Sequence, residues 1–296
     1  MKDAAVHAAP ACSLRTLADY IALTKPRLNV LVVATSAAGF YLGAQGAINP
    51  AVFLATVIGT TLVAGGAAAL NQLYERRTDA LMQRTRMRPL PDGRVSPVEA
   101  RAFGLLLSAA GLVLLALYST WLASLLALVT LVVYLAVYTP LKRRSPISTL
   151  VGAVPGALPP LIGWTAARGI TIGGVSLFLI VFLWQIPHFM AIAWMYRDDY
   201  GAAGFPMLPV IDPTGRRAGQ QAVGYAAALL PVSLVPALVG LSGLVYAGVA
   251  LALGVALLAL ALRFASARVD AAARWLFFGS LVYLPLILIV MIADKR

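Results

Sequence analysis

The stretch NQLYERRTDALMQRTRMRPLP, residues 71–91, decides how the chain is built, because it places acidic and basic side chains at the end of a long apolar run. The whole chain has only 11 Asp and Glu residues among 296, and 61% of its residues are hydrophobic. Asn71, Glu75 and Asp79 are spaced i, i+4 and i+8, so a helix through them stacks their side chains along one face. The spacing predicts a polar site at the end of an apolar helix.

The composition on either side of this stretch is that of an integral membrane protein. Only 11% of the residues are charged and the mean hydropathy is +0.87, whereas soluble domains carry about 25% charged residues. A membrane-spanning helix needs about 20 apolar residues. The uncharged segments have room for two, two, one, one, two and one such helices, in the order 28–74, 102–141, 145–167, 169–196, 218–262 and 275–293. The sequence therefore predicts an all-α, polytopic membrane protein with nine transmembrane helices.

Turn signals and charge predict the topology. Three short connections, GAQGAINP (43–50), LYSTW (117–121) and VGLSG (239–243), carry no charge. Of the 23 Lys and Arg residues, 20 lie in the N-terminal segment and the loops of the other face. The positive-inside rule then places the N-terminus in the cytoplasm and the C-terminus outside. Topology accounts for the basic balance, so no nucleic-acid partner is predicted. Residues 1–20 are expected to be a short, flexible cytoplasmic segment, and residues 21–296 a single transmembrane domain.

The first candidate site is the end of the second span. Two carboxylates and an amide suit Mg²⁺, which binds proteins through one or two carboxylates and takes further oxygens from a phosphate substrate. Arg84 and Arg88 are also spaced i, i+4 and are suited to gripping phosphate oxygens. The alternative interpretation is a solvated helix end with charge pairs between neighbours.

The second candidate site is in WQIPHFMAIAWMYRDDYGAAGFPMLPV, residues 184–210, at the same face of the membrane. His188 and Asp199 are eleven residues apart, about three helical turns, and so face the same way. An ionisable group inside a membrane is a candidate for function, although a lone His beside Pro is more often a packing residue. Because this segment follows the first by four helices, two four-helix halves are expected to face one central cavity.

Two further features border the predicted cavity. The loop YTPLKRRSP (138–146) carries Lys142 and Arg143, which suit an anionic substrate or serve topology alone. The fifth span contains Pro155, Pro159 and Pro160, which are expected to break its helix where it lines the cavity.

These strings resemble the UbiA superfamily of intramembrane prenyltransferases, and within it the branch that farnesylates protohaem. The resemblance rests on NxxxExxxD at 71–79 and on ERRTDALMQRTRMRPLPDGRVSP, YTPLKRRSP, GALPPLIGW and the 184–210 string, in that order, and extends over about residues 20–290. It implies a nine-helix bundle whose central cavity opens to the cytoplasm. It also implies transfer of the farnesyl group of farnesyl diphosphate to a vinyl group of haem B, for the haem of terminal oxidases.

The resemblance carries over to particular residues. It implies a Mg²⁺ site and a catalytic role for the same four residues, which are Asn71, Glu75, Asp79 and Asp199. It implies substrate contacts from Arg84, Arg88, Lys142, Arg143, His188 and Tyr200. The lipid bilayer and haem A synthase or terminal-oxidase assembly proteins are the implied partners.

Three alternatives remain open at the level of the sequence. A UbiA enzyme acting on an aromatic acid or quinone precursor would carry the same first motif. A multi-pass transporter would line a path across the whole membrane with polar residues, whereas here the acidic residues gather on one side. A haem-binding assembly protein without catalytic activity would bind haem but show no Mg²⁺-dependent turnover.

Overall fold

Residues 14–296 are described by a computed structural model, and this part of the chain is a bundle of helices. The predicted segment 1–20 lies mostly outside the described residues; from Leu14 onward the chain is helical. The helices in chain order are α1 (Leu14–Leu23), α2 (Pro26–Gly43), α3 (Pro50–Asp79), α4 (Pro97–Tyr118), α5 (Trp121–Val132), a π-helical segment (Val133–Tyr138), α6 (Thr139–Leu141), α7 (Ser148–Arg168), α8 (Ile172–Met195), α9 (Arg197–Ala202), α10 (Leu208–Ile211), α11 (Arg216–Leu238), α12 (Leu244–Ala267) and α13 (Asp270–Ala293).

The predicted set of long apolar helices is confirmed. Within the described part of the chain, eight helices are long and apolar enough to cross a membrane, with α5, the π-helical segment and α6 forming one of them, Trp121–Leu141. The remaining long helix, α2, has 18 residues and carries Arg27 and Asn29 near its start. Together with α2, these helices make a bundle of nine long helices within residues 14–296, and the protein is a multi-pass membrane protein.

Helix ends fall where the sequence places turn residues. The three predicted uncharged turns separate α2 from α3, α4 from α5 and α11 from α12. Asn49 caps α3 by accepting the backbone N–H of Ala51 at 3.0 Å, and Pro50 occupies the first helical turn. Ser96 and Glu99 form a capping box at the start of α4.

The bundle consists of two four-helix halves and a closing helix. Helices α2, α3, α4 and α5 form the first half, α7, α8, α11 and α12 the second, and α13 contacts α2, α8 and α12. The first helices of the two halves, α2 and α7, pack side by side. A Cβ atom on Gly39 would overlap the carbonyl of Pro160, and one on Gly163 would overlap the carbonyl of Ser36. Glycine is therefore required where these two backbones meet.

The expected break in the fifth span does not occur. Helix α7 runs without interruption from Ser148 to Arg168, with Pro155, Pro159 and Pro160 inside it and buried. Each proline removes one backbone donor, but the helices packed on α7 hold the flanking turns in place. Helix α7 lies between α2, α5 and α8 in the interior of the bundle.

Candidate functional site

The last two turns of α3 carry the predicted polar triad on a buried face. Asn71, Glu75 and Asp79 are only 2%, 4% and 1% exposed. A helix end exposed to solvent would leave these side chains accessible, so the alternative of a solvated end is wrong. Their burial beside the loop after α3 makes them parts of an enclosed site.

Each member of the triad contacts a basic side chain from a different segment. Lys25, just before α2, donates from Nζ to Oδ1 of Asn71 at 3.1 Å. Lys142, just after α6, donates to both carboxylate oxygens of Glu75 at 3.1 and 3.3 Å. Arg88, in the loop after α3, donates from Nη1 to Oδ2 of Asp79 at 2.7 Å. The site is thus assembled from four separate pieces of the first half.

Local backbone geometry directs two of these cations, Lys25 and Lys142, toward the triad. Lys25 has φ 49° and ψ 56°, a left-handed conformation that is unfavourable for a residue with a side chain. Lys142 follows the π-helical segment, whose Tyr134 carbonyl accepts the hydroxyl of Thr139 at 2.7 Å. Thr139 in turn accepts Nδ2 of Asn71 at 3.2 Å, which links this segment to the triad. Single π-helical turns are frequent at functional sites.

The loop after α3 is folded against the site. Thr85 is buried and donates its hydroxyl to the carbonyl of Asp79 at 2.8 Å. Leu90 and Val95 pack into a core cluster with Leu23 of α1. These contacts fix the loop and so hold Arg88 at the triad.

The second half brings an aromatic segment to the same place, as the two-half arrangement predicts. Arg84 lies over the rings of Tyr196 and Tyr200, at 5.0 and 5.8 Å from their centroids. Lys142 lies 4.5 Å from the centroid of Phe205 and 6.0 Å from that of Tyr200. Cations over aromatic faces remain available for an anion, since the ring carries no full negative charge.

Three of the predicted site residues are not joined to this cluster. Arg143 is exposed, and the carboxylate of Asp199 has no hydrogen bond or ion pair among residues 14–296. His188 lies about two helical turns deeper along α8, stacked between Trp184 and Phe277 at 5.2 and 5.0 Å. Its Nδ1 pairs with the hydroxyl of Ser280 at 2.8 Å, and Ser280 donates to the carbonyl of Phe277. These are the contacts of a packed histidine, and its predicted substrate contact stays a prediction.

Only some of the cations at the site are paired with a carboxylate. Four basic side chains contact the triad or the aromatic segment beside it, and of Lys25, Arg84, Arg88 and Lys142 only Arg88 and Lys142 form an ion pair among residues 14–296. Burial, and next the charge of Arg88, lowers the pKa of Lys25 to about 8. Burial also acts to lower the pKa of Lys142, but the Glu75 carboxylate outweighs it and the pKa is raised. Lys25 and Arg84, which form no ion pair among the described residues, favour an anionic ligand.

The chemistry of the triad also fits a hard divalent cation. Carboxylate and amide oxygens are the ligands that Mg²⁺ takes from proteins. Oδ1 of Asp79 is buried and has no hydrogen-bond partner in the described chain, although buried polar atoms are nearly always paired. Among residues 14–296, no three His, Cys, Asp or Glu side chains converge as a metal site. The triad therefore suits a metal whose remaining ligands come from a phosphate substrate.

Sequence reasoning missed Lys25, Tyr196 and Phe205. Lys25 counts as a topology charge in the sequence, because nothing in the string TKPRL shows that its side chain turns toward Asn71. Phe205 lies in a Gly- and Pro-rich loop whose packing against Met82 depends on tertiary structure. The two tryptophans of α8, Trp184 and Trp194, contact α13 and α12. Trp184 donates to the carbonyl of Ser280, and Trp194 packs edge-on against Phe264.

Comparison with known proteins identifies a family and relatives to which this chain is similar. Residues 32–282 match the model of the UbiA prenyltransferase family. The chain is 48% identical over 287 residues to the protoheme IX farnesyltransferase of Solibacter usitatus, with 94% of this chain and 98% of the relative covered. It is 40% identical over 278 residues to the enzyme of the same name from Aquifex aeolicus, with 93% and 94% covered.

Solved structures share the fold at low sequence identity. A digeranylgeranylglyceryl phosphate synthase superposes with a TM-score of 0.81 at 17% identity, covering 95% of this chain and 99% of that one. A UbiA homologue from Archaeoglobus fulgidus, bound to GPP and Mg²⁺, superposes with a TM-score of 0.68 at 18% identity, covering 93% and 99%.

Proposed function

The chain belongs to the UbiA prenyltransferase family, and from that premise we propose that it transfers the farnesyl group of farnesyl diphosphate to a vinyl group of haem B, giving haem O and diphosphate. The observation that carries the proposal is the buried triad of α3 with a basic side chain on each member. The acceptor is inferred from relatives that are 40–48% identical over nearly the whole chain and are named protoheme IX farnesyltransferase.

The cations of the site would bind the diphosphate. Lys25, Arg88 and Lys142 already converge on the triad, and Arg84 is held above two tyrosine rings without an acidic partner among the described residues. When the allylic C–O bond breaks, the electron pair leaves with the diphosphate, whose charge grows. Cations fixed in advance in a water-poor site stabilise that charge strongly. The four basic side chains would therefore promote departure of the leaving group.

Asn71, Glu75 and Asp79 would hold Mg²⁺, with Asp199 as a further candidate ligand from the second half. When bound, Mg²⁺ would neutralise part of the diphosphate charge. The carboxylates would also keep Lys142 and Arg88 oriented toward the leaving group through the contacts described above. Arg143, which is exposed, would meet the substrate only at the edge of the site.

The farnesyl cation would form beside aromatic rings. Tyr200 and Phe205 lie within 6.1 Å of each other, centroid to centroid, and both lie beside Lys142. Ring faces stabilise a carbocation and exclude water from it. C1 of the farnesyl group would then bond to the terminal vinyl carbon, and water would add hydroxide to the inner carbon with release of one proton. His188 would contact the haem deeper in the bundle.

Both substrates combine an apolar body with anionic groups, which suits a site at the end of membrane helices. We place the acidic site and the N-terminus on the cytoplasmic side of the bacterial inner membrane and the C-terminus outside, on the basis of the distribution of Lys and Arg. Haem A synthase or a terminal-oxidase assembly protein would receive the product.

A panel of acceptors tests the reaction. Purified protein in nanodiscs would be given farnesyl diphosphate and, separately, haem B, 4-hydroxybenzoate or a quinone precursor, and products would be identified by mass spectrometry. The proposal predicts that haem B, and none of the other acceptors, gives a farnesylated and hydrated product. Prenylation of an aromatic acid but not of haem would replace it with the alternative UbiA activity. Haem binding with no product from any acceptor would favour an assembly protein.

A further inference from the structure

An open groove of about 600 Å³ lies outside the acidic site, where α8, α10 and α11 meet. It is lined by one stripe of α11, by Leu183 of α8 and by Leu208 of α10. The stripe residues repeat at three- and four-residue spacing, as one helix face requires, and are Arg217, Gln220, Gln221, Gly224, Tyr225 and Ala228. Neither the farnesyl transfer nor the acidic site uses these residues.

The groove is polar at one end and apolar at the other. Arg217 is the second residue of α11, at the same face of the bundle as the acidic site, and Gln220 and Gln221 follow in the next turn. Nothing in the described part of the chain hydrogen-bonds or ion-pairs with these three side chains. The nearby carboxylate of Asp212 already accepts the hydroxyl of Thr214 and the backbone N–H of Arg217. The charge of Arg217 also acts on this carboxylate, but among residues 14–296 the guanidinium N–H groups and both amides have no hydrogen-bond partner, so they are available as donors.

The length of the groove matches one lipid leaflet. Eleven residues separate Arg217 from Ala228, which is about 16 Å along a helix and close to half of the roughly 30 Å hydrocarbon layer. A Cβ atom on Gly224 would meet no atom within 4 Å, so the space above this residue is open. An acyl chain can lie there against Leu183.

We propose that this groove binds one anionic phospholipid. Its headgroup phosphate accepts hydrogen bonds from Arg217, Gln220 and Gln221, and one acyl chain lies over Gly224. Charge complementarity selects an anionic headgroup over a zwitterionic one, because a basic side chain near the membrane surface attracts an anionic lipid.

Native mass spectrometry of the full chain in detergent tests the proposal, with phosphatidylglycerol and phosphatidylcholine of identical acyl chains as probes. We expect phosphatidylglycerol to bind about fivefold more tightly, the effect of one basic residue. Arg217→Gln should abolish this preference. Arg216→Gln is the matched control, because Arg216 is adjacent and exposed but does not line the groove, and it should keep the preference. Gly224→Leu should weaken both lipids by filling the groove.

Equal binding of the two lipids, or equal losses in the Arg216 and Arg217 variants, would overturn the proposal. Displacement of the lipid by millimolar glycerol 3-phosphate would show a free-phosphate site and would overturn it as well. Prenyl transfer, measured alongside, should be retained in all three variants, since none alters the acidic site; it also reports that each variant is folded.

Discussion

Glu75→Gln removes the negative charge that faces Lys142 and leaves the ammonium without its anionic partner. The two side chains are only 4% and 12% exposed, and their closest approach is 3.1 Å. Removing one partner of a buried ion pair costs about 3–5 kcal/mol, because the remaining charge stays desolvated. A typical protein is stable by only about 5–15 kcal/mol, so the loss should be plain in SDS titration of purified protein.

The double variant Glu75→Gln/Lys142→Gln should recover most of this stability but none of the prenyl transfer, because the buried charge is gone while the site still lacks both groups. Asp270→Asn supplies the control. Its pair with Arg197 is 2.8 Å long but 46% and 32% exposed, so its loss should cost about 1 kcal/mol or less. If Glu75→Gln is as mild as Asp270→Asn, or if the double variant is no more stable than Glu75→Gln, the buried-pair reasoning fails.

Three further variants test separate parts of the account. Lys25→Met should raise the KM for farnesyl diphosphate roughly 10- to 100-fold through loss of a charge-assisted hydrogen bond, with haem titration unchanged; equal effects on both substrates would contradict a diphosphate role. Gly163→Ala should destabilise the protein by about 1–3 kcal/mol in the same SDS titration, because the added Cβ overlaps α2. Gly248→Ala is the control and should be neutral or stabilising, because a Cβ there meets nothing within 4 Å. His188→Ala should weaken haem binding in an absorbance titration and leave the KM for farnesyl diphosphate unchanged; unaltered haem affinity would end its proposed role.

The bundle was predictable from the sequence because membrane-spanning helices are recognisable from the length and the apolar composition of their segments. The uncharged segments located the long helices, and the turn residues at 43–50, 117–121 and 239–243 located three of their connections. The break predicted at the prolines of α7 was wrong. A proline in a water-soluble helix usually ends the helix, whereas here packing against α2, α5 and α8 holds the turns together.

The acidic part of the site was predictable because regularly spaced polar residues are unusual at the end of an apolar helix. Asn71, Glu75 and Asp79 share a face at regular spacing, which a single helix fixes without tertiary information. Their cationic partners were only partly predictable. Arg88 and Lys142 lie in loops whose direction depends on Thr85 and on the π-helical segment, and Lys25 reaches Asn71 through an unusual backbone conformation. No local pattern encodes such contacts between distant segments.

The most direct test of the central claim is a prenyl-transfer assay with haem B, farnesyl diphosphate and purified protein, with and without Mg²⁺, for the wild type and Asp79→Asn. The wild type should give a heavier, less polar haem only when Mg²⁺ is present, and a folded Asp79→Asn protein should not form this product. Full turnover by that variant, or unmodified haem from folded wild-type protein, would contradict the assignment of the reaction to the buried end of α3.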